Sequence, residues 1–218
     1  MGGDSRVGSE ALDTLSVVEH VEVGRRSPKT EQRRLSIIRT ATEVINAKSF
    51  AMASMKEIAA KLDLRDAALY YYFEDKRALG FACHVHTLKR LESVLEDTAR
   101  AGGTGLDRVR SFIAGMLDDS VRNGPQLYLG DLSYLSVDQH AAVTGWMNRL
   151  KGRLRHFLED GIADGTISPC ETELVVQLLM GMLIWLAKWT PSVGELTVER
   201  LMQAICVVSF RGLERRDG

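Results

Sequence analysis

Apolar positions first fall into helical order at residue 28. Leu35, Ile38, Ala41 and Ile45, widened by Ile37 and Val44, form one stripe opposite Arg34, Arg39 and Glu43, and this spacing predicts a helix from Pro28 to about Lys48. Ser27 before Pro28 reads as its cap and first helical residue. Ser54-Met55-Lys56-Glu57 is an S-x-x-E capping box that opens a short second helix to about Leu62, with Met55, Ile58, Ala59 and Leu62 on one face. Asp63-Leu64-Arg65 interrupts the pattern, and Asp66 to Phe73 resumes it with Ala67, Leu69 and Tyr70. Two short helices across a tight turn predict a helix-turn-helix. Asp75 then caps a longer helix through Leu79, Phe81, Val85, Leu88, Leu91 and Leu95, which the glycines at 102, 103 and 105 end.

Helical spacing continues through Leu106, Val109, Phe112, Ile113, Met116 and Leu117, breaks at Asn123-Gly124-Pro125, and leaves an irregular piece from Leu127 to Leu135. Val143, Met147, Leu150, Leu154 and Phe157 define the next helix, closed by Gly161 and Gly165. Ser168-Pro169-Cys170-Glu171 reads as a second capping box, opening a helix to Trp189, and Thr197 to Gly212 is the last. Only four prolines and 6% aromatic residues accompany these stretches rich in Ala, Leu, Met, Glu, Lys and Arg, so the fold class is all-α. The organisation expected is a fraying extension over residues 1–27, a helix-turn-helix domain over 28–74 and a helical domain over 75–218. The most apolar run, Leu174 to Ala187, contains Gln177 and meets Lys188, short of the ~18 to 20 residues of a membrane span, so it reads as a buried helix. With an acidic N-terminus that resembles no leader and three scattered cysteines, the expected setting is the cytoplasm, with no membrane partner.

Composition is that of a globular chain, 45% hydrophobic and 26% charged, and the net charge of −1 conceals an asymmetry. Residues 1–24 carry one basic and five acidic residues, a net of −4, whereas residues 25–65 carry ten basic and four acidic, a net of +6. A basic block in an otherwise acidic chain reads as a polyanion contact or as a solvated helix face.

At residues 33–80 the chain resembles the TetR family of bacterial transcription regulators. The residues that carry the resemblance are Ile37-Ile38 and Ala41, Ser54-Met55-Lys56-Glu57-Ile58-Ala59, and Ala67-Ala68-Leu69-Tyr70-Tyr71-Tyr72-Phe73 followed by Lys76. The resemblance implies a three-helix DNA-binding domain followed by a ligand-binding and dimerisation domain. In it Leu69 and Phe73 pack inward, Ser54 and Lys56 meet the DNA strand, Tyr70 and Tyr72 donate to phosphates, and Lys76 holds another phosphate. Arg65, Asp66 and Ala68 are then the base readers: Arg suits guanine O6 and N7, Asp accepts from cytosine N4, and Ala meets a thymine methyl. Successive helical residues differ by about 100°, so Tyr70, Tyr71 and Tyr72 cannot all be buried, and Tyr71 joins the DNA-facing set. The Arg25-Arg26 pair with Lys29 and Arg33 is either an arm reaching DNA or a basic linker. Four positions depart from the family's pattern: Ser49 and Asp63 stand where Gly is frequent, Ala53 where Thr is frequent, and Arg65 where Ser or Thr usually caps the third helix.

The same resemblance implies an effector pocket in the later helices and a dimer through the last two. Phe112, Met116, Tyr128, Tyr134, Trp146, Met147, Trp185 and Trp189 are the candidate pocket walls, with ordinary core as the alternative. Val175, Met182, Leu186, Leu201, Ile205 and Val208 are the candidate interface, with a helix central to its own core as the alternative. Trp185 to Trp189 is similar to a pattern in lipid- and acyl-CoA-responsive members, and Arg149, Lys151, Arg153 and Arg155 are candidates for its phosphates. The expected function is a ligand-responsive homodimeric repressor of a near-palindromic operator. An all-helical lipid- or thioester-binding module whose basic segment meets a membrane surface or an acidic partner is the competing reading, and an enzyme using Cys83 or His156 a third. His84 and His86, two apart on a helix, splay by about 200°, and no Walker A, G-x-S-x-G or H-E-x-x-H run is present, so neither metal, cofactor nor catalysis is implied.

Overall fold

A computed structural model describes residues 27–211. Among these residues there are eight α-helices and no strand: α1 Pro28–Lys48, α2 Met55–Ala60, α3 Asp66–Tyr70, α4 Lys76–Ala101, α5 Gly105–Asn123, α6 Val137–Ala163, α7 Thr172–Trp189 and α8 Val198–Cys206. A short 3-10 turn, Thr190–Ser192, follows α7, and a π-helical turn, Val207–Arg211, follows α8. The expected N-terminal extension and the Arg25-Arg26 pair lie outside the described residues, apart from Ser27.

Side chains at helix starts fix most boundaries. The Ser27 hydroxyl accepts from Thr30 N–H at 3.3 Å and Pro28 opens α1. Ser54 accepts from Glu57 N–H at 3.2 Å, but the Glu57 carboxylate turns to Lys48 at 2.8 Å, so half of the predicted box forms and the other half becomes an ion pair between α1 and α2. Asp75 accepts from Ala78 N–H at 2.7 Å ahead of α4. Reciprocal boxes form instead at Thr104 with Asp107, and at Ser136 with Gln139, where each backbone N–H meets the other's side chain at 3.2 Å. The box expected at Ser168 is unused: α7 starts at Thr172, and its N-cap Glu171 makes no side-chain cap bond.

Compactness divides the described chain into residues 27–92 with 125–150, and residues 93–124 with 151–211. In the first unit Ile37, Ile38 and Ala41 of α1, Ile58 of α2, Leu69 of α3 and Leu79 of α4 are almost wholly buried in one core that also takes in Leu127. Residues 125–136 are tied into it, with Asn46 donating to Gln126 C=O at 2.8 Å and accepting from Tyr128 N–H at 2.9 Å, while Thr87 accepts from Leu127 N–H at 3.0 Å.

In the second unit α5 starts against the end of α6. Gly105 N–H donates to Asp164 at 2.8 Å, Arg108 pairs with Asp160 at 2.8 Å, and a Cβ on Gly105 would overlap the Gly161 backbone. Gly161 therefore does not close α6, as the sequence pattern suggested, but lies within it as the place of closest backbone approach. The Leu174 run is not buried by this chain alone, as the sequence pattern suggested it would be. The 18-residue helix α7 is long and apolar enough, by length and composition, to cross a membrane, with a mean hydropathy of 1.3, yet only 22% of it is buried. Leu174, Leu178 and Trp185 lie exposed at helical spacing along it.

Candidate nucleic-acid interface

Burial sorts the helix-turn-helix into a hidden and a presented side. Leu69 and Phe73 go into the core, which turns Tyr70 and Tyr71 outward at 53% and 77% exposure. Tyr72 is half-buried and meets the Tyr71 ring edge-on at 5.0 Å. Hydrogen bonds from Tyr72 N–H and Phe73 N–H to the Leu69 carbonyl end α3 after five residues, shorter than the stretch to Phe73 expected from the sequence. Arg65 and Asp66 are exposed and Ala68 half-exposed at the start of α3, and Ser54 and Lys56 are exposed at the start of α2. Arg65 occupies the N-cap without a capping bond; Asp66 accepts from Ala67 N–H at 2.9 Å in its place, which commits one carboxylate oxygen locally. Asp63 makes the turn with φ 53°, and Ser49 ends α1 with φ 82° and ψ 161°, so both residues standing where the family favours Gly adopt the left-handed side.

Between the start of α1 and Tyr72 lies a groove of about 620 Å³ lined by Lys29, Thr30, Gln32, Arg33, Ser36 and Tyr72. Every side chain that lines it carries a hydrogen-bond donor and none carries a carboxylate. Lys29 and Arg33 thus belong to the first two turns of α1. Arg34, next along, is buried with its guanidinium 5.0 Å from the Phe73 ring centroid. Met52, 72% exposed in the turn before α2, is a further outward residue that apolar patterning alone does not single out.

Lys76 departs from expectation. Its ammonium lies 2.9 Å from the Phe50 carbonyl, 3.3 Å from that of Ala51 and 3.0 Å from that of Ala53, and 4.5 Å from the Phe50 ring centroid. An ammonium has three N–H donors, and three carbonyls take them, so the expected phosphate contact has no donor left to it in this geometry. Buried polar groups lie nearby on α4. His84 shares a hydrogen bond of 2.8 Å with the Tyr134 hydroxyl, and burial lowers its pKa to about 4 against the opposing pull of Asp131. Burial, with Cys83 and Asp131 close by, raises that of Tyr134. Cys83 is fully buried, and burial pushes its thiol up to about 12, which keeps it protonated at neutral pH.

A model described as bacterial regulatory proteins of the tetR family matches residues 37–83, and one described as the tetracyclin repressor-like C-terminal domain matches residues 102–213, slightly over half of the chain. The chain belongs to the TetR family. It is therefore a TetR-family transcriptional regulator with an N-terminal helix-turn-helix DNA-binding domain and a helical C-terminal domain. It is 23% identical over 183 residues to the HTH-type transcriptional repressor KstR of Mycolicibacterium smegmatis, covering 81% of this chain and 87% of KstR. Among solved structures, its fold is similar to that of the regulator PfmR of Thermus thermophilus, with a TM-score of 0.70, 23% identity, and 82% and 99% of the two chains covered. It is also similar to AibR, solved in complex with isovaleryl coenzyme A and operator DNA, with a TM-score of 0.67, 22% identity, and 79% and 95% covered.

The sequence candidates for the effector pocket of this TetR-family chain do not assemble within one compact unit. Tyr128, Tyr134, Trp146 and Met147 belong to the unit that holds the helix-turn-helix, and Phe112, Met116, Trp185 and Trp189 to the other. Phe112, Met116 and Trp146 are buried, Tyr134 stacks on Phe50, and Trp185 is 53% exposed on the outward stripe of α7, where it lines no enclosed wall. Of the basic candidates, Arg155 pairs with Glu159 and Glu173, each at 3.2 Å, and Arg153 lies 3.9 Å from Glu96. The interface candidates differ in how far this chain itself covers them. Leu201 and Ile205 are buried within this chain, Val175, Met182 and Leu186 are half-buried, and only Val208 is exposed. The outward apolar residues are Leu174, Leu178 and Trp185 of α7 with Val207 and Val208 beyond α8. On a helix apolar nearly all round, periodicity cannot say which side faces out.

Proposed function

We propose that this regulator is a homodimeric repressor that grips a near-palindromic operator with two copies of α3 and releases it when a small apolar effector binds. The observation that carries the reading is the division of α3, where Leu69 enters the core while Arg65, Asp66, Tyr70 and Tyr71 stand outside it. A helix so anchored can lie in a major groove with its first residues at base edges, and a second copy would meet the next groove about 34 to 36 Å away. Arg65 and Asp66 then read bases, Ala68 meets a thymine methyl, and Ser54, Lys56, Tyr70, Tyr71 and Tyr72 hold the strand. The donor-lined groove with Lys29 and Arg33 extends the phosphate contacts to α1.

The exposed apolar stripe of α7 supports the dimer, since Leu174, Leu178 and Trp185 in a row are the side chains a second copy would bury. The effector is proposed to be an acyl thioester or related lipid. AibR was solved with isovaleryl coenzyme A, and Phe112, Met116 and Trp189 offer apolar wall here. The setting is cytoplasmic and no cofactor is required.

A gel-shift titration with a duplex selected from a randomised pool tests the DNA reading. Arg65→Ala is expected to cost about 1 to 3 kcal/mol on the selected duplex and to relax the preference at one base pair, and Lys56→Ala to weaken all duplexes alike. Equal binding by both variants and the parent would contradict the assignment, and preference for anionic vesicles over every duplex would favour the lipid-binding module.

A further inference from the structure

Lys76 and Phe50 are 26 residues apart, yet the Lys76 ammonium collects the carbonyls of Phe50, Ala51 and Ala53, which make up the turn leading to the N-cap Ser54. Whatever holds that turn fixes where α2 starts and where Ser54 and Lys56 are presented. The Phe50 ring is itself held, stacked on Tyr134 with centroids 3.4 Å apart and planes 7° from parallel. A Cβ at Gly80 would lie 2.8 Å from both rings, so the absent side chain on α4 makes room for the stack. The Tyr134 hydroxyl meets His84 at 2.8 Å, and Tyr134 belongs to the 125–136 segment that Asn46 and Thr87 tie to α1 and α4. Three chain regions thus meet at one aromatic ring, and none of these groups is among the outward residues of α3.

We infer that Lys76, Phe50 and Tyr134 form a positioning cluster that sets the turn before α2 for DNA binding and makes that setting depend on the segment between α5 and α6. Lys76 acts through the backbone it holds and not through a phosphate. The inference rests on the DNA-binding reading above, and three outcomes for Lys76→Met separate it from the alternatives. Loss of positioning falls mainly on the selected duplex, because displacing α2 also displaces α3, which packs against it, from the base edges, whereas non-specific binding needs only the charge that Lys56 keeps. Loss of a phosphate contact falls on all duplexes alike and lowers the slope of log K against log salt by about 0.9. Loss of fold alone lowers the active fraction and leaves affinity per active molecule unchanged.

The experiment measures the affinity of active protein for the selected duplex and for a scrambled one, across a salt series. Lys76→Met and Tyr134→Leu are expected to weaken selected binding tenfold or more, to weaken scrambled binding less than threefold, and to leave the salt slope unchanged. Tyr134→Phe, which keeps the ring stack, is expected to bind within threefold of the parent. Amide hydrogen exchange at residues 53–57 in Tyr134→Leu gives a second reading should Lys76→Met not fold: faster exchange than in the parent supports the cluster, and unchanged exchange overturns it. A slope reduced by about 0.9 in Lys76→Met, or parental binding by Tyr134→Leu, also overturns it. Failure of the parent to select any duplex would instead remove the DNA-binding reading itself.

Discussion

Ser49 holds φ 82° with ψ 161°, a combination that a side chain disfavours by roughly 1 to 3 kcal/mol and glycine does not. Ser49→Gly is expected to stabilise the chain by about 1 kcal/mol, read as a raised midpoint in urea, and a lowered midpoint would show that the Ser49 side chain contributes more than its backbone costs. His84 makes stability depend on pH. Its pKa is lowered from 6.5 to about 4 on folding, so between those values the unfolded chain binds more protons, and its contribution is complete above 6.5 and lost as pH falls towards 4. The loss amounts to about 3 kcal/mol, visible in denaturation midpoints between pH 7 and 4, and His84→Gln should flatten that limb. The positive φ at Asp63 and Ser49 was legible because both stand where the resemblance favours Gly. The partners of Lys76 were not, since three main-chain carbonyls 23 to 26 residues away leave no trace in side-chain pattern.

The helices themselves were readable from period and caps, as α1 shows from Ser27 to Lys48. Errors arose where one local signal had a non-local competitor. Glu57 fits a capping box on paper but finds Lys48 across a turn, and Ser168 fits one too but lies outside any helix. Gly161, read as a stop, is small because Gly105 crosses it. Gly105→Ala is accordingly expected to cost about 2 to 3 kcal/mol, since its Cβ meets backbone that cannot move aside, and thermal melting checks it: an unchanged midpoint would mean the crossing opens freely. The faces of α7 were illegible because almost every residue is apolar. Leu178, 74% exposed, tests the stripe: Leu178→Glu should keep the helical spectrum and convert a dimer to a monomer in sedimentation, while a parent that is already monomeric would refute the interface.

Taken as a molecule, the chain joins a helix-turn-helix whose inner side is core and whose outer side carries Arg65, Tyr70 and Tyr71 to helices that leave an apolar stripe uncovered. The fold class and the outward residues of the helix-turn-helix could be read in the sequence because the anchoring residues Leu69 and Phe73 alternate with the presented ones inside a recognisable run. The effector site could not, because bulky residues in core and pocket follow the same spacing. Two copies joined through the stripe and each presenting α3 would read two half-sites on one duplex. Sequencing the duplexes that the full chain enriches from a randomised pool measures this most directly. The account predicts an inverted repeat whose half-site centres lie about 10 to 10.5 base pairs apart, and enrichment of a single half-site, or of no sequence at all, would contradict it.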